Sequence, residues 1–194
     1  MSTTRPSPAQ LPFQVGNDGV AEWSPRHADA WIGLLETHKQ LTRRLDAELE
    51  SRYGLSLSGL ELLARLAAAP GRCLRLSSLA AEAGLSLSRV SRIAVLLETR
   101  GLIERKPCSD DGRAVEAHLT PAGLKLMRAG QATHFAQIQS AFFDRLREGE
   151  LDTLAEVFSR FSPRAAASCT EPPGRSRAWR ARRDLMRIVP GNRT

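Results

Sequence analysis

Aromatic residues make up only 5% of this 194-residue chain, and three Lys stand against 25 Arg. Arg in such excess is the mark of a GC-rich genome more than of a chemistry. No run of about 18 apolar residues occurs, so nothing is expected to span a membrane. The first ten residues, Met1 to Gln10, are polar and contain Pro6 and Pro8. They lack the charged start and apolar stretch of a signal peptide, and a cytoplasmic location is expected. The three cysteines, Cys73, Cys108 and Cys169, are odd in number and far apart. A disulfide framework is therefore not expected. There is no CxxC, no HExxH and no Cys/His set at zinc spacing, so no metal site is expected, and all three thiols read as passive. The glycines are dispersed, without a loop that cradles phosphate, and no cofactor is expected. His27, His38, His118 and His134 lie far apart and have no nucleophile or carboxylate in a recognisable setting, so the chain does not read as an enzyme.

What is present is a 42% apolar fraction dominated by Leu and Ala. Both favour helix, and a mostly helical fold follows. The net charge of +7 invites a nucleic-acid reading. From Arg164 onward, however, eight Arg face only Glu171 and Asp184, which accounts for +6 of that charge. Bulk charge does not make the remainder a DNA binder; individual Arg residues must carry that case.

Residues 1–24 read as irregular. A first helix is expected from Pro25 to about Arg52, with Trp31, Leu34, Leu35, His38, Leu41, Leu45 and Leu49 at helical spacing. A second is expected after a Ser56 or Ser58 cap and before Pro70-Gly71. A short extended piece over 72–76 leads to a short helix capped by Ser77, over 78–83. Gly84 breaks it, and a longer helix runs from a Ser86 or Ser88 cap to Arg100. This is the outline of a helix-turn-helix. Extended runs at 102–106 and 115–119 flank a turn-rich segment and read as a β-hairpin. Thr120-Pro121 opens a long helix to about Arg147. A last helix covers 151–161, and 163–194 reads as a basic, disordered tail.

The segments RLSSLAAEAGLSLSRVSRI (75–93) and LLETRGLIERK (96–106) resemble the helix-turn-helix of MarR family regulators. Asp111-Gly112-Arg113, followed by Leu119-Thr120-Pro121-Ala122-Gly123, is similar to the family's wing signature. The resemblance covers about residues 28–162. It implies a mainly α winged helix-turn-helix over 25–162, with a small β-hairpin wing. The DNA-binding part would occupy about 56–120, and the helices over about 25–52 and 121–162 would make a homodimer. It also implies a cytoplasmic regulator, a repressor relieved by a small effector, that binds a pseudo-palindromic site on double-stranded DNA.

Residues at the start of a recognition helix reach base edges, which singles out Ser88, Arg89, Ser91 and Arg92. An Arg can bond a guanine bidentately, and Ser hydroxyls suit phosphates or bases. Arg113 is expected at the wing tip, in the minor groove, with Asp111 holding its guanidinium. Arg105 and Lys106 are candidate phosphate contacts. For a small aromatic or anionic effector, Trp31, His38 and Arg65 are the candidates. Arg105 and Lys106 near Cys108 are the kind of basic neighbours that lower a thiol pKa, but Cys108 reads as a passive surface thiol. One departure from the family is that Val95 and Leu96 are apolar where relatives often carry polar residues. Exposed apolar residues there would favour the alternative, a winged helix that binds protein without reading DNA sequence.

Overall fold

The computed structural model describes residues 13–108 and 114–161. The chain divides into two compact units, one ending at Arg44 and the other beginning at Leu45. In the first, β1 (Phe13–Val15) and β2 (Ala21–Trp23) form an antiparallel hairpin. The stretch expected to be irregular is thus partly ordered. Asp18 closes its turn by accepting from the Val20 N–H, Gly19 takes a positive φ of 79°, and the rings of Phe13 and Trp23 meet edge to face at 5.8 Å. The helix α1 (Pro25–Tyr53) follows, with Pro at its first position, where its missing N–H costs nothing.

The second unit is built around α2 (Leu57–Ala68). The Ser56 hydroxyl caps it by accepting from Gly59 N–H at 3.1 Å, and Asp46 accepts from Leu57 N–H at 2.7 Å. Leu60, Leu62, Leu63 and Leu66 are all buried, so the helix is covered on most sides. It packs against β3 (Cys73–Arg75), α3 (Leu76–Ala83), α4 (Leu87–Thr99), β5 (Val115–Leu119) and α5 (Pro121–Ala141). With β4 (Ile103–Pro107), these strands make an antiparallel sheet in the order β3-β5-β4. The expected extended piece near residue 74 is thus a third strand of the wing sheet. The helix α3 starts at Leu76, with no side-chain cap, instead of being capped by Ser77.

Two close approaches fix the start of α5. The Thr120 hydroxyl accepts from Gly123 N–H at 3.0 Å and donates towards the carbonyls of Gly101 and Leu102. Gly123 lies so near Leu102 that a β-carbon there would come within 2.0 Å of the Leu102 carbonyl oxygen. The Arg100 guanidinium donates to the carbonyls of Tyr53 and Gly54, satisfying the last turn of α1. The Tyr53 hydroxyl bonds Thr133 on α5 at 2.6 Å.

The long helix ends earlier than its periodicity predicts. Its apolar phase continues to Leu146, but the backbone leaves helix at Phe142 (φ −128°, ψ −62°) and makes a 3-10 turn over Phe143–Arg145. The Phe142 and Phe143 rings stack edge to face at 5.3 Å, and Asp144 accepts from Gln139 at 2.6 Å. Periodicity records only which residues want burial, so it cannot see a break that preserves the phase. The last helix, α6 (Glu150–Phe161), buries none of its residues. Among the described residues, no helix is long and apolar enough to cross a membrane.

His134 on α5 is half-buried, and its Nδ1 has no hydrogen-bond partner among the described residues. Burial holds its pKa below the usual 6.5, because the cation loses hydration there. Below 6.5 the unfolded chain therefore takes up a proton that the folded chain resists. Stability is expected to fall as pH drops from about 7.5 to 5.5, and a His134→Gln protein should lose less over that interval. Parallel thermal unfolding of both proteins at the two pH values checks this; equal losses would refute it.

Candidate nucleic-acid interface

The turn between α3 and α4 is made by Gly84, in the left-handed region at φ 67°. Ser86 then caps α4, its hydroxyl accepting from Arg89 N–H at 3.3 Å. Val90, Ala94 and Leu97 are buried against the core. That stripe forces Ser88, Arg89 and Arg92 outward and leaves Ser91 half-buried. Arg89 reaches back to donate to the Ser58 hydroxyl at 3.2 Å. Among the described residues, Arg92 makes no ion pair or hydrogen bond, so its guanidinium is available to a ligand. Val95 and Leu96, further along, are 43% and 65% exposed.

The structure redistributes the expected wing cations. Arg105 turns back onto α4: its backbone N–H donates to Glu98 at 2.9 Å and its Nε at 2.7 Å. The Arg105 N–H and then its guanidinium hold the Glu98 carboxyl below the usual carboxylate range. Arg105 is therefore a clamp between α4 and β4, and its charge is answered inside the protein. Lys106 pairs with Glu104 at 2.7 Å, both well exposed. Such a pair is worth less than about 1 kcal/mol, so Lys106 can be drawn away by a phosphate. Asp111 and Arg113 lie outside the described residues, as do Cys169 and the expected tail.

Among the effector candidates, Trp31 is 54% exposed, and His38 is exposed as well. Arg65, by contrast, is 5% exposed, with its guanidinium on Glu61 at 2.6 Å and Glu82 at 3.6 Å. It ties α2 to α3, which leaves no free charge for an anionic effector. Removing one member of a buried pair costs up to about 5 kcal/mol. Here both carboxylates are partly exposed and would rehydrate, so Arg65→Ala should lower stability by about 2 kcal/mol. Chemical denaturation would read this loss, and an unchanged midpoint would contradict it.

The cysteines also differ from expectation. Cys108 is buried, and its sulfur receives a hydrogen bond from Arg75 at 3.2 Å and donates to Glu116 at 3.4 Å; its partners are not Arg105 and Lys106. Register explains the grouping. Cys73 pairs with His118, and Arg75 with Glu116, across β3 and β5. Alternate residues of a strand share a face, so these side chains stand together on one side of the sheet. Ala117, pointing the other way, is fully buried. Burial, and then the neighbouring Glu116, push the Cys73 thiol up to about 11.

Three helices carrying a helix-turn-helix, closed by an antiparallel hairpin that leads into a long helix, define a winged helix-turn-helix protein. A MarR family model matches residues 53–114. A curated relative, the uncharacterized HTH-type transcriptional regulator YhjH of Bacillus subtilis, is 29% identical over 126 residues, 63% of this chain and 71% of the relative. Two Streptomyces coelicolor MarR family regulators have similar solved structures, both 28% identical with a TM-score of 0.66. One is AbsC, for which the match covers 75% of this chain and 98% of that protein. The other is Sco3205 in complex with DNA, for which it covers 77% and 95%. The chain is thus similar to MarR family transcriptional regulators in its helix-turn-helix sequence and in its fold.

Proposed function

We propose that this chain is a homodimeric regulator that reads a pseudo-palindromic DNA site, acting as a repressor relieved by a small effector. The observation that carries the reading is the start of α4, where Ser88, Arg89 and Arg92 are presented outward and Arg92 has no ion pair or hydrogen bond among the described residues. The DNA in the related Sco3205 structure supports it. Lys106 supplies phosphate contacts, and Asp111 with Arg113 forms the wing tip that enters the minor groove. Dimerisation is supported by apolar side chains that a single chain leaves in water. Trp31, Ile32, Leu34 and Leu35 are about half exposed on α1, and Phe161 on α6 is 80% exposed. Trp31 and His38 are the remaining candidates for an aromatic or anionic effector, which must bind the two functional states with different affinity.

Selection from random duplex DNA at near-physiological salt tests this reading, using the full chain and a chain cut after Pro163. Both forms should enrich one inverted repeat with half-sites about one helical turn apart. Absence of any enriched sequence would refute it. The exposed Val95 and Leu96 favour a second reading, a winged helix that binds a protein partner through α4. That reading gains if the dimer folds but enriches no sequence.

A further inference from the structure

The cluster on the open face of the wing sheet has the geometry of a metal site. The Cys73 sulfur lies 3.5 Å from Glu116 Oε2 and 3.4 Å from His118 Nε2, and those two atoms are 3.6 Å apart. A tetrahedral zinc ion holds sulfur at about 2.3 Å and nitrogen or oxygen at about 2.0–2.2 Å, which separates its donors by about 3.3–3.7 Å. Its sulfur edges are about 3.5–3.7 Å and its nitrogen–oxygen edge about 3.3–3.6 Å, and the three observed separations lie within about 0.1 Å of them. We propose that Cys73, Glu116 and His118 form a binding site for a divalent metal ion of the zinc class, with one corner left open.

The donor chemistry selects the class. A thiolate and an imidazole suit zinc or its borderline-soft neighbours, and they disfavour magnesium and calcium, which take oxygen. Ion uptake exchanges the Cys73 S–H proton for a sulfur–metal bond and releases that proton to water. The surroundings supply an outer shell of the kind that orients ligands. Cys108 donates to the other Glu116 oxygen, Oε1, and Arg75 donates to Cys108. No sequence spacing announces this site, because β3 contributes one ligand and β5 the other two, 43 and 45 residues further on. The proposal does not depend on the DNA reading: the donors are joined by the sheet register alone.

The test is a cobalt(II) titration of the reduced full-length protein under anaerobic conditions, followed by displacement with zinc. We expect saturation at one ion per chain, a thiolate-to-cobalt charge-transfer band, and intense visible bands of tetrahedral cobalt that zinc abolishes. Cys73→Ser should remove the charge-transfer band. Loss of outer-shell partners alone weakens metal sites by about 10–100-fold, so His118→Gln and Glu116→Gln should each weaken binding by at least about tenfold. Cys108→Ser should keep the band at lower affinity. Circular dichroism of each variant establishes that it is folded, and His118→Gln carries the test if Cys73→Ser is not. Three outcomes would overturn the proposal: no saturable uptake, a band that survives Cys73→Ser, or a band lost only with Cys169→Ser.

Discussion

Replacing Gly123 with Ala is expected to destabilise the second unit by about 3 kcal/mol, at the upper end of overpacking costs. In a helix interior the same change ordinarily stabilises by up to about 1 kcal/mol, through helix propensity. Here the added methyl would stand 2.0 Å from the Leu102 carbonyl oxygen and 2.9 Å from Leu119 Cδ1. The oxygen is backbone and cannot swing aside. It is also held in place, accepting from Thr120 N–H at 3.1 Å and from the Thr120 hydroxyl at 3.0 Å. The start of α5 must therefore lift from the chain that enters β4. Urea unfolding should show a lower midpoint with an unchanged slope. A variant as stable as the parent would mean that α5 does not sit this close to Leu102. The contact also gives a physical reason for the Leu-Thr-x-x-Gly pattern: Thr caps the helix and ties it to Leu102, and Gly permits the approach.

The second large effect is on DNA. An Arg bonded to a guanine is worth about 1–3 kcal/mol of discrimination, and a dimer on a pseudo-palindrome makes the contact twice. Under the proposed function, Arg92→Ala should thus cost about 2 kcal/mol or more, roughly 30-fold or greater in affinity for the selected repeat. Binding to unrelated duplex should persist, and should weaken steeply with salt, because phosphate contacts remain. Arg92 is exposed and makes no ion pair or hydrogen bond among the described residues, so the folded state should be unaffected. Competition binding of both proteins to the selected and a scrambled duplex measures the two terms separately. Equal preference in parent and variant would remove Arg92 from the reading of bases. Arg105→Ala is a useful contrast, since Arg105 is engaged by Glu98 and its loss acts first on the seam between α4 and β4.

Local chemistry made most of the fold legible in the sequence. Pro25, the Ser56 and Ser86 caps, the left-handed Gly54 and Gly84, and Thr120-Pro121 all act within a few residues. Residues three or four apart share a helix face, so the apolar Val90, Ala94 and Leu97 mark one side of α4, and all three are buried. From these, the outward position of Ser88, Arg89 and Arg92 follows without knowledge of any contact.

Tertiary structure decided which charges remain available. Arg65, Arg92 and Arg105 are the same residue type. Only the folded chain adds Glu82 to the first and places Glu98 on the third, while the second has no ion pair or hydrogen bond among the described residues. It likewise turned the piece near residue 74 into a strand beside β5, and so brought Cys73 to Glu116 and His118. Sequence alone determines spacing along one chain, and hence caps, turns and helix faces. Partners more than a few residues apart are set by the register of strands and the packing of helices, which no local pattern encodes.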